Sequence, residues 1–186
     1  AVCFAVPAVA GVKYDTDNHI LTIDGMTTSY QQSQVFDVFQ EHEVTTVVLS
    51  GPGGDYYAGL AIGRYLREEG ARVIIPAGKE CVSACAFAML GADEIHIDGK
   101  VMFHRPFTMA TPSMVTVEAI AAKYGAAYID GAVYLMEQGV SAKFMHQILR
   151  NTTPCKFMVV TDESGIADLR RWGVLRDFDT ESRCQG

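Results

Sequence analysis

The chain has 186 residues, of which 49% are hydrophobic, and its formal net charge is −7 at pH 7. A chain of this size and composition can bury the core of one full domain. The acidic balance and the lack of any basic run argue against a nucleic-acid-binding surface. No stretch reaches the roughly 18 consecutive apolar residues that a membrane-spanning helix needs, so the sequence predicts no such span.

The first ten residues, AVCFAVPAVA, allow two interpretations. An apolar run broken by Pro7 and followed by Ala8-Val9-Ala10 is typical of the end of a secretory signal peptide with its cleavage site. The alternative is an ordinary N-terminal strand. We therefore expect residues 11–186 to form a single domain. The signal interpretation predicts a periplasmic or secreted protein, and the other leaves a cytoplasmic one open.

Alternating apolar and polar positions predict a β-α-β-α-β order in the first part of the chain. This order favours mostly parallel strands joined by crossover helices. Its elements are strands at 19–25, 45–49 and 72–75 and helices at 29–42 and 56–69. Farther on, the sequence predicts paired strands at 94–98 and 101–103, helices at 115–139, 141–149 and 163–172, a strand at 157–161, and a loose polar tail at 177–186.

Three segments carry residue types that acyl transfer needs. Ser83 lies among small residues at the predicted start of a helix, where free N–H groups favour a developing negative charge. His104 follows the strand at 101–103 and could act as the general base for Ser83. Gly51-Pro52-Gly53-Gly54 directly follows a buried strand, and glycines there allow unusual backbone angles and close approach of a substrate.

In this order, these segments resemble the Clp peptidase (ClpP) side of the ClpP/crotonase superfamily, and most closely its secreted, stand-alone ClpP-like branch. The resemblance extends over roughly residues 19–177. It implies an α/β, ClpP/crotonase-like β-α-β superhelical fold with mostly parallel strands and a protruding or interface helix. The matching segments are Ser50–Gly54 with Ala58–Ile62, Cys81–Ala86 and Met102–Pro106, and more weakly Thr152–Thr161 and Trp172–Leu175.

The resemblance implies a serine-type peptidase that acts on peptides or unfolded proteins without a cofactor or metal. In the family the serine is the nucleophile, the histidine is its base, and backbone N–H groups hold the oxyanion. Carried over, these are Ser83, His104, Gly54 and Ala84. No motif in this sequence identifies an ATPase partner.

The third member of the family's catalytic triad has no clear counterpart here. The family places an aspartate before a late strand, but the segment Thr153–Thr161 contains no carboxylate. Asp162, just after that strand, is the acid nearest in sequence and a candidate third member. The alternatives are a Ser–His dyad oriented by a carbonyl or a threonine, an acid from elsewhere, or a weakened activity. We favour the dyad.

Two other functions stay open at this point. One is a non-catalytic ClpP-like scaffold or peptide-binding subunit, and the other is an acyl-CoA enzyme of the crotonase branch, which would not need both Ser83 and His104. The resemblance and the small, apolar residues of 115–139 predict a homo-oligomer that assembles through this helix. The alternative is a helix buried within its own chain.

The five cysteines give two expectations. On a regular helix, Cys81 and Cys85 would hold their Cβ atoms about 5–6 Å apart, whereas a disulfide needs about 3.5–4.5 Å. We therefore expect these two residues not to pair and to pack as small, buried side chains. Any two of Cys3, Cys155 and Cys184 could bridge in an oxidising compartment.

Overall fold

The protein is described by a computed structural model that covers residues 11–107 and 117–183. The described residues form two compact units, divided between Val101 and Met102. Residues 1–10, and with them the choice between a signal peptide and a strand, lie outside the described residues. The prediction that 11–186 form a single domain stays a prediction.

The first unit contains a five-stranded sheet in the order β1-β2-β4-β6-β8. The strand β1 is antiparallel to β2, and the other neighbours in this sheet are parallel. The strands are β1 (Gly11–Asp15), β2 (Ile20–Asp24), β3 (Met26–Thr27), β4 (Thr46–Leu49), β5 (Gly53–Gly54), β6 (Arg72–Ile75), β7 (Glu80–Val82) and β8 (Ile95–Ile97). The helices are α1 (Ser29–Glu41), α2 (Tyr56–Glu68) and α3 (Ala84–Met89).

Alternation along the strands builds the core of this unit. Leu21 on β2, Val47 on β4 and Val73 on β6 are fully buried on adjacent strands, and their chain neighbours are partly or fully exposed. Side chains two residues apart on a strand share one face, so these residues form one continuous apolar layer. The predicted β-α-β-α-β order is confirmed, with boundaries that differ by one residue at most.

In the second unit, the strand β9 (Lys100–Phe103) is followed, among the described residues, by three helices and two strands. Their bounds are α4 (Val117–Glu137), α5 (Lys143–Asn151), β10 (Lys156–Val160), α6 (Glu163–Trp172) and β11 (Asp179–Ser182). The strand β10 lies between β9 and β11. Phe103, Tyr134 and Phe144 are fully buried in the core, where the rings of Phe103 and Phe144 meet edge to face with centroids 5.0 Å apart.

Two predictions about strands are wrong. The tail from residue 177 is not loose up to residue 183, because β11 pairs antiparallel with β10, with Lys156 opposite Ser182. The side chains of β11 are polar, so the sequence shows no apolar alternation there, although the backbone still pairs with β10. The strands β8 and β9 do not pair with each other either: β8 joins β6, and β9 lies beside β10.

None of the helices within residues 11–107 and 117–183 combines the length and the apolarity that crossing a bilayer requires.

Candidate active site

Ser83 occupies a sharp turn between the strand β7 and the helix α3, with φ 56° and ψ −118°. An L-residue rarely adopts positive φ, and holding one there costs about 1–3 kcal/mol. The Ser83 side chain makes no capping hydrogen bond to α3 and is half-buried. The strained backbone therefore presents the hydroxyl without engaging it in its own helix.

The glycine turn that follows β4 is bound to this serine turn by main-chain hydrogen bonds. Gly51 N donates to the carbonyl of Glu80 at 2.8 Å, and Val82 N donates to the carbonyl of Gly51 at 2.9 Å. A Cβ atom at Gly53 would lie 2.7 Å from the Cβ of Ser83 and 2.5 Å from the Val82 carbonyl oxygen. Only glycine fits at residue 53, which thus sets how closely the two turns approach.

The two expected oxyanion residues lie on either side of this contact. Gly54 pairs with Thr27 in the short β3–β5 ladder, and a Cβ atom there would lie 2.2 Å from the Thr27 carbonyl oxygen. Ala84 is fully buried at the start of α3, and a Cβ atom at Gly53 would be 3.1 Å from its nitrogen. The N–H groups of a helix's first turn have no acceptor within the helix. The structure thus brings Ser83, Ala84 and the Gly53-Gly54 turn together.

Packing between helices fixes the position of α3. Gly59 on α2 faces Ala84, where an added Cβ would lie 2.5 Å from the Ala84 carbonyl oxygen. Asp55 caps α2 by accepting hydrogen bonds from the N–H groups of Tyr57 and Ala58. The chain therefore passes from the glycine turn directly into the helix that supports α3.

Cys81 and Cys85 form a disulfide bond, with their Cα atoms 5.2 Å apart. The prediction that they do not pair is wrong, because it assumed one regular helix across both residues. Cys81 instead lies on β7 and Cys85 on α3, and the chain turns at Ser83 between them. Both cysteines are buried, as expected, and Cys155 is disulfide-bonded as well.

His104 lies in the second unit, directly after β9, and is only 5% exposed. Its ring meets the Phe157 ring edge-on, with centroids 5.0 Å apart, and its Nδ1 is 2.9 Å from the carbonyl oxygen of Arg105. Burial lowers the pKa of His104, and the hydrogen bond to Arg105 offsets part of this effect. A carbonyl oxygen only accepts, so Nδ1 carries the hydrogen of the neutral ring and Nε2 keeps its lone pair.

Thr152 holds Arg105, the residue whose carbonyl orients the His104 ring. Its hydroxyl accepts a hydrogen bond from Arg105 N at 2.8 Å and donates one to the Ile148 carbonyl at 2.7 Å. Thr152 is buried, so both bonds are shielded from water. Sequence reasoning did not single out this residue, although it named a threonine or a carbonyl as a possible orienting group, and Thr152 begins the weakly matching segment.

Asp162 is the N-cap of α6, where its carboxylate accepts hydrogen bonds from the N–H of Ser164, at 2.9 Å, and from the Ser164 hydroxyl. The hydroxyl bond is the main cause that lowers the pKa of Asp162, and the residue is exposed. Among the described residues, no carboxylate is hydrogen-bonded to the His104 ring. The pairing of Ser83 with His104 and the existence of a third catalytic residue stay predictions.

Within residues 11–107 and 117–183, no group of three or more His, Cys, Asp or Glu side chains is arranged to hold a metal ion.

Comparison with known proteins supports the fold. No family model matches the sequence, and no curated protein matches it. Many solved structures match, among them a membrane-bound stomatin-specific protease solved as a serine-to-alanine mutant. That match has a TM-score of 0.57 at 20% sequence identity, and it covers 84% of this chain and 78% of the other. The chain thus shares the fold of that structure, a mixed α/β fold with mostly parallel strands, and the predicted fold class is confirmed.

Proposed function

We propose that the protein is a serine-type peptidase that uses Ser83 as nucleophile and His104 as general base. The observation that carries this proposal is the strained backbone of Ser83, which is held by a glycine turn that tolerates no side chain at residue 53. Structures keep such strain chiefly where function requires it. The peptidase name of the similar solved structure favours this reaction over acyl-CoA chemistry.

Each residue has a defined task in the proposed reaction. The Ser83 oxygen attacks the peptide carbonyl carbon while Nε2 of His104 takes its proton and later gives it to the leaving amine. The N–H groups of Gly54 and Ala84 stabilise the oxyanion, a contribution of about 2.7–4 kcal/mol for one such donor. The Arg105 carbonyl fixes the imidazole tautomer in place of a carboxylate, so this is a dyad.

A fluorophosphonate probe, which labels activated serines, tests the proposal. Wild type is expected to be labelled and to cleave unfolded polypeptide, whereas Ser83→Ala is expected to do neither. Ser33→Ala is the matched control, because Ser33 is exposed on α1, away from the glycine turn. Labelling that is absent from wild type, or retained in Ser83→Ala, would contradict the proposal and favour the non-catalytic scaffold.

We propose that the protein works in the periplasm or outside the cell. The bond between Cys81 and Cys85 and the oxidised state of Cys155 support this location, because disulfides persist in oxidising compartments. The substrates would be neutral or cationic peptides or unfolded proteins, in keeping with the net charge of −7. Mass spectrometry of the native protein without reductant is expected to find these three thiols blocked, and free thiols there would contradict the assignment.

We also propose that the chain forms a homo-oligomer through 115–139. In support, α4 exposes Ile129, Val133 and Met136, at 66%, 42% and 57%, and spacings of four and three place these side chains on one helix face. Ile129→Glu is expected to shift the sedimentation coefficient towards that of a monomer. Gln40→Glu adds the same charge on the exposed side of α1 and is expected to leave assembly unchanged. A wild-type monomer at micromolar concentration would contradict the proposal.

A further inference from the structure

A disulfide closes a ring of five residues, Cys81-Val82-Ser83-Ala84-Cys85, around the proposed nucleophile. The bond joins the last part of β7 to the first turn of α3, so it spans the strained residue from both sides. Its meaning for catalysis rests on the proposed function of Ser83. Its effect on the backbone can be derived from the geometry alone.

The sequence by itself offers Ser83 a less strained conformation. Four of the six residues of Ala84–Met89 are alanine or methionine, which form helices readily, and a serine can join the first turn of a helix at little cost. If α3 extended backwards through Ser83 to Cys81, the Cβ atoms of Cys81 and Cys85 would be about 5–6 Å apart. A disulfide requires about 3.5–4.5 Å, so the bond excludes this helical alternative.

Noncovalent contacts hold both ends of the ring. On the strand side, Cys81 forms a bridge with Gly51, and Val82 N donates to the Gly51 carbonyl. On the helix side, Ala84 packs against Gly59 of α2. Between these anchors, the Ser83 side chain makes no capping hydrogen bond, although the Ser83 carbonyl accepts one from Phe87 N at 3.0 Å and Gly53 lies against Ser83. The disulfide adds a covalent restraint to these contacts, so it narrows the range of backbone angles that Ser83 can adopt.

We propose that Cys81 and Cys85 are positioning residues whose disulfide holds Ser83 in its reactive backbone conformation. Both cysteines are buried, which shields their bond from reductants and favours a structural role over a redox role.

The rate of fluorophosphonate labelling separates positioning from simple stabilisation. We expect Cys81→Ala/Cys85→Ala to lower the maximal labelling rate constant about 10- to 100-fold, because small misplacements of a reacting group have effects of this size. The probe's half-saturating concentration and the final labelled fraction should stay within about twofold. Cys155→Ala, which removes a disulfide-bonded cysteine that lies outside the ring around Ser83, should leave all three quantities unchanged. A double variant that loses only labelled fraction, or loses nothing, would overturn the proposal.

A second measurement tests the proposal even if wild type does not react with the probe. In protein labelled with ¹³C-serine, Ser83→Ala identifies the Ser83 signals, whose Cα and Cβ shifts report the backbone conformation. We expect these shifts to move in Cys81→Ala/Cys85→Ala and to stay unchanged in Cys155→Ala. If wild type does not react with the fluorophosphonate probe but the double variant moves the Ser83 shifts, the peptidase proposal fails and the positioning proposal stands. Shifts that match wild type in the double variant would overturn the positioning proposal.

Discussion

The two residues of the proposed dyad are held by different physical means. Ser83 is placed by its backbone, through a positive φ angle, a glycine contact and a covalent ring. His104 is placed by its side chain, through burial against Phe157 and one hydrogen bond to the Arg105 carbonyl. The nucleophile should therefore respond most to changes of shape, and the base to changes of hydrogen bonding and pH.

The largest effect is expected from a side chain at Gly53. Gly53→Ala forces a Cβ atom to within 2.7 Å of the Ser83 Cβ, so we expect labelling to fall about 100-fold or more as the serine turn is displaced. Gly78→Ala is the matched control, because Gly78 has a similar φ angle of 72° and no heavy atom within 4 Å of an added Cβ.

The control should lower only the melting temperature, because it imposes the left-handed backbone cost, about 1 kcal/mol, without a clash. Labelling rates and thermal melts of the two variants decide the matter. Equal labelling of Gly53→Ala and Gly78→Ala would show that shape at the serine turn does not control the nucleophile.

The pH dependence of labelling tests the base. Burial holds the pKa of His104 below the ordinary value of 6.5, so the neutral ring persists in more acidic solution. We expect the labelling rate to begin its fall below pH 6.5 and then to drop about tenfold per pH unit. His104→Ala should be slow at every pH and lack this transition. A midpoint above 6.5 would contradict the side-chain environment described for His104.

The same shift predicts the sign of a stability change. The unfolded chain binds a proton at His104 at a higher pH than the folded chain does, so acid favours unfolding. This loss begins near pH 6.5 and continues as the pH falls to the lower folded value. His104→Gln should weaken the pH dependence of the denaturant midpoint in that window, which urea titrations at several pH values would measure.

A smaller effect is expected from the residue behind the base. Thr152→Val removes the acceptor of Arg105 N, and a buried, unpaired donor costs about 1–3 kcal/mol. Because the same residue, Arg105, supplies the carbonyl that accepts the hydrogen bond of His104 Nδ1, we expect labelling to slow by about tenfold. Thr152→Ser keeps the hydroxyl and should restore most of the rate. If Thr152→Val is labelled as fast as wild type, Arg105 does not need the hydrogen bond to Thr152 in order to orient His104.

Much of the fold was predictable because apolar periodicity reports burial directly. Val47 on β4 and Val73 on β6 lie in runs whose alternation is typical of a strand with one buried face, and these strands lie where they were predicted. The strand β11 was not predictable in this way. Its residues are polar and mostly exposed, and its pairing with β10 depends on backbone hydrogen bonds that any side chain allows.

The candidate site was predictable in its residue types and less so in its geometry. Small residues around Ser83 indicated a sharp turn, but the spacing of Cys81 and Cys85 was judged as if the turn were a helix. Applying the predicted strand-to-helix turn to the cysteines as well would have allowed the disulfide. The contact of Gly53 with Ser83 and the support of Arg105 by Thr152 join residues 30 and 47 positions apart, a relation that local patterns do not encode.

The smallest effect is expected at Asp162, and it decides between a dyad and a triad. The Asp162 carboxylate caps α6 and is exposed, and the base it would have to orient is hydrogen-bonded to a carbonyl instead. Asparagine caps helices about as well as aspartate, so Asp162→Asn removes the charge and keeps the helix. We expect labelling and peptide cleavage to stay within a few-fold of wild type.

Asp162→Ala separates the helix from the chemistry. It removes the cap, so it should lower stability by about 1 kcal/mol while the labelling rate of the folded protein stays unchanged. In a full serine-protease triad, replacing the orienting aspartate by asparagine lowers turnover about 10⁴-fold. A loss of that size in Asp162→Asn, at an unchanged melting temperature, would make Asp162 the third member of a triad. If instead only the melting temperature of Asp162→Ala falls, Asp162 supports the helix and not the chemistry. The Arg105 carbonyl, which is hydrogen-bonded to the His104 ring, is then the group that orients it.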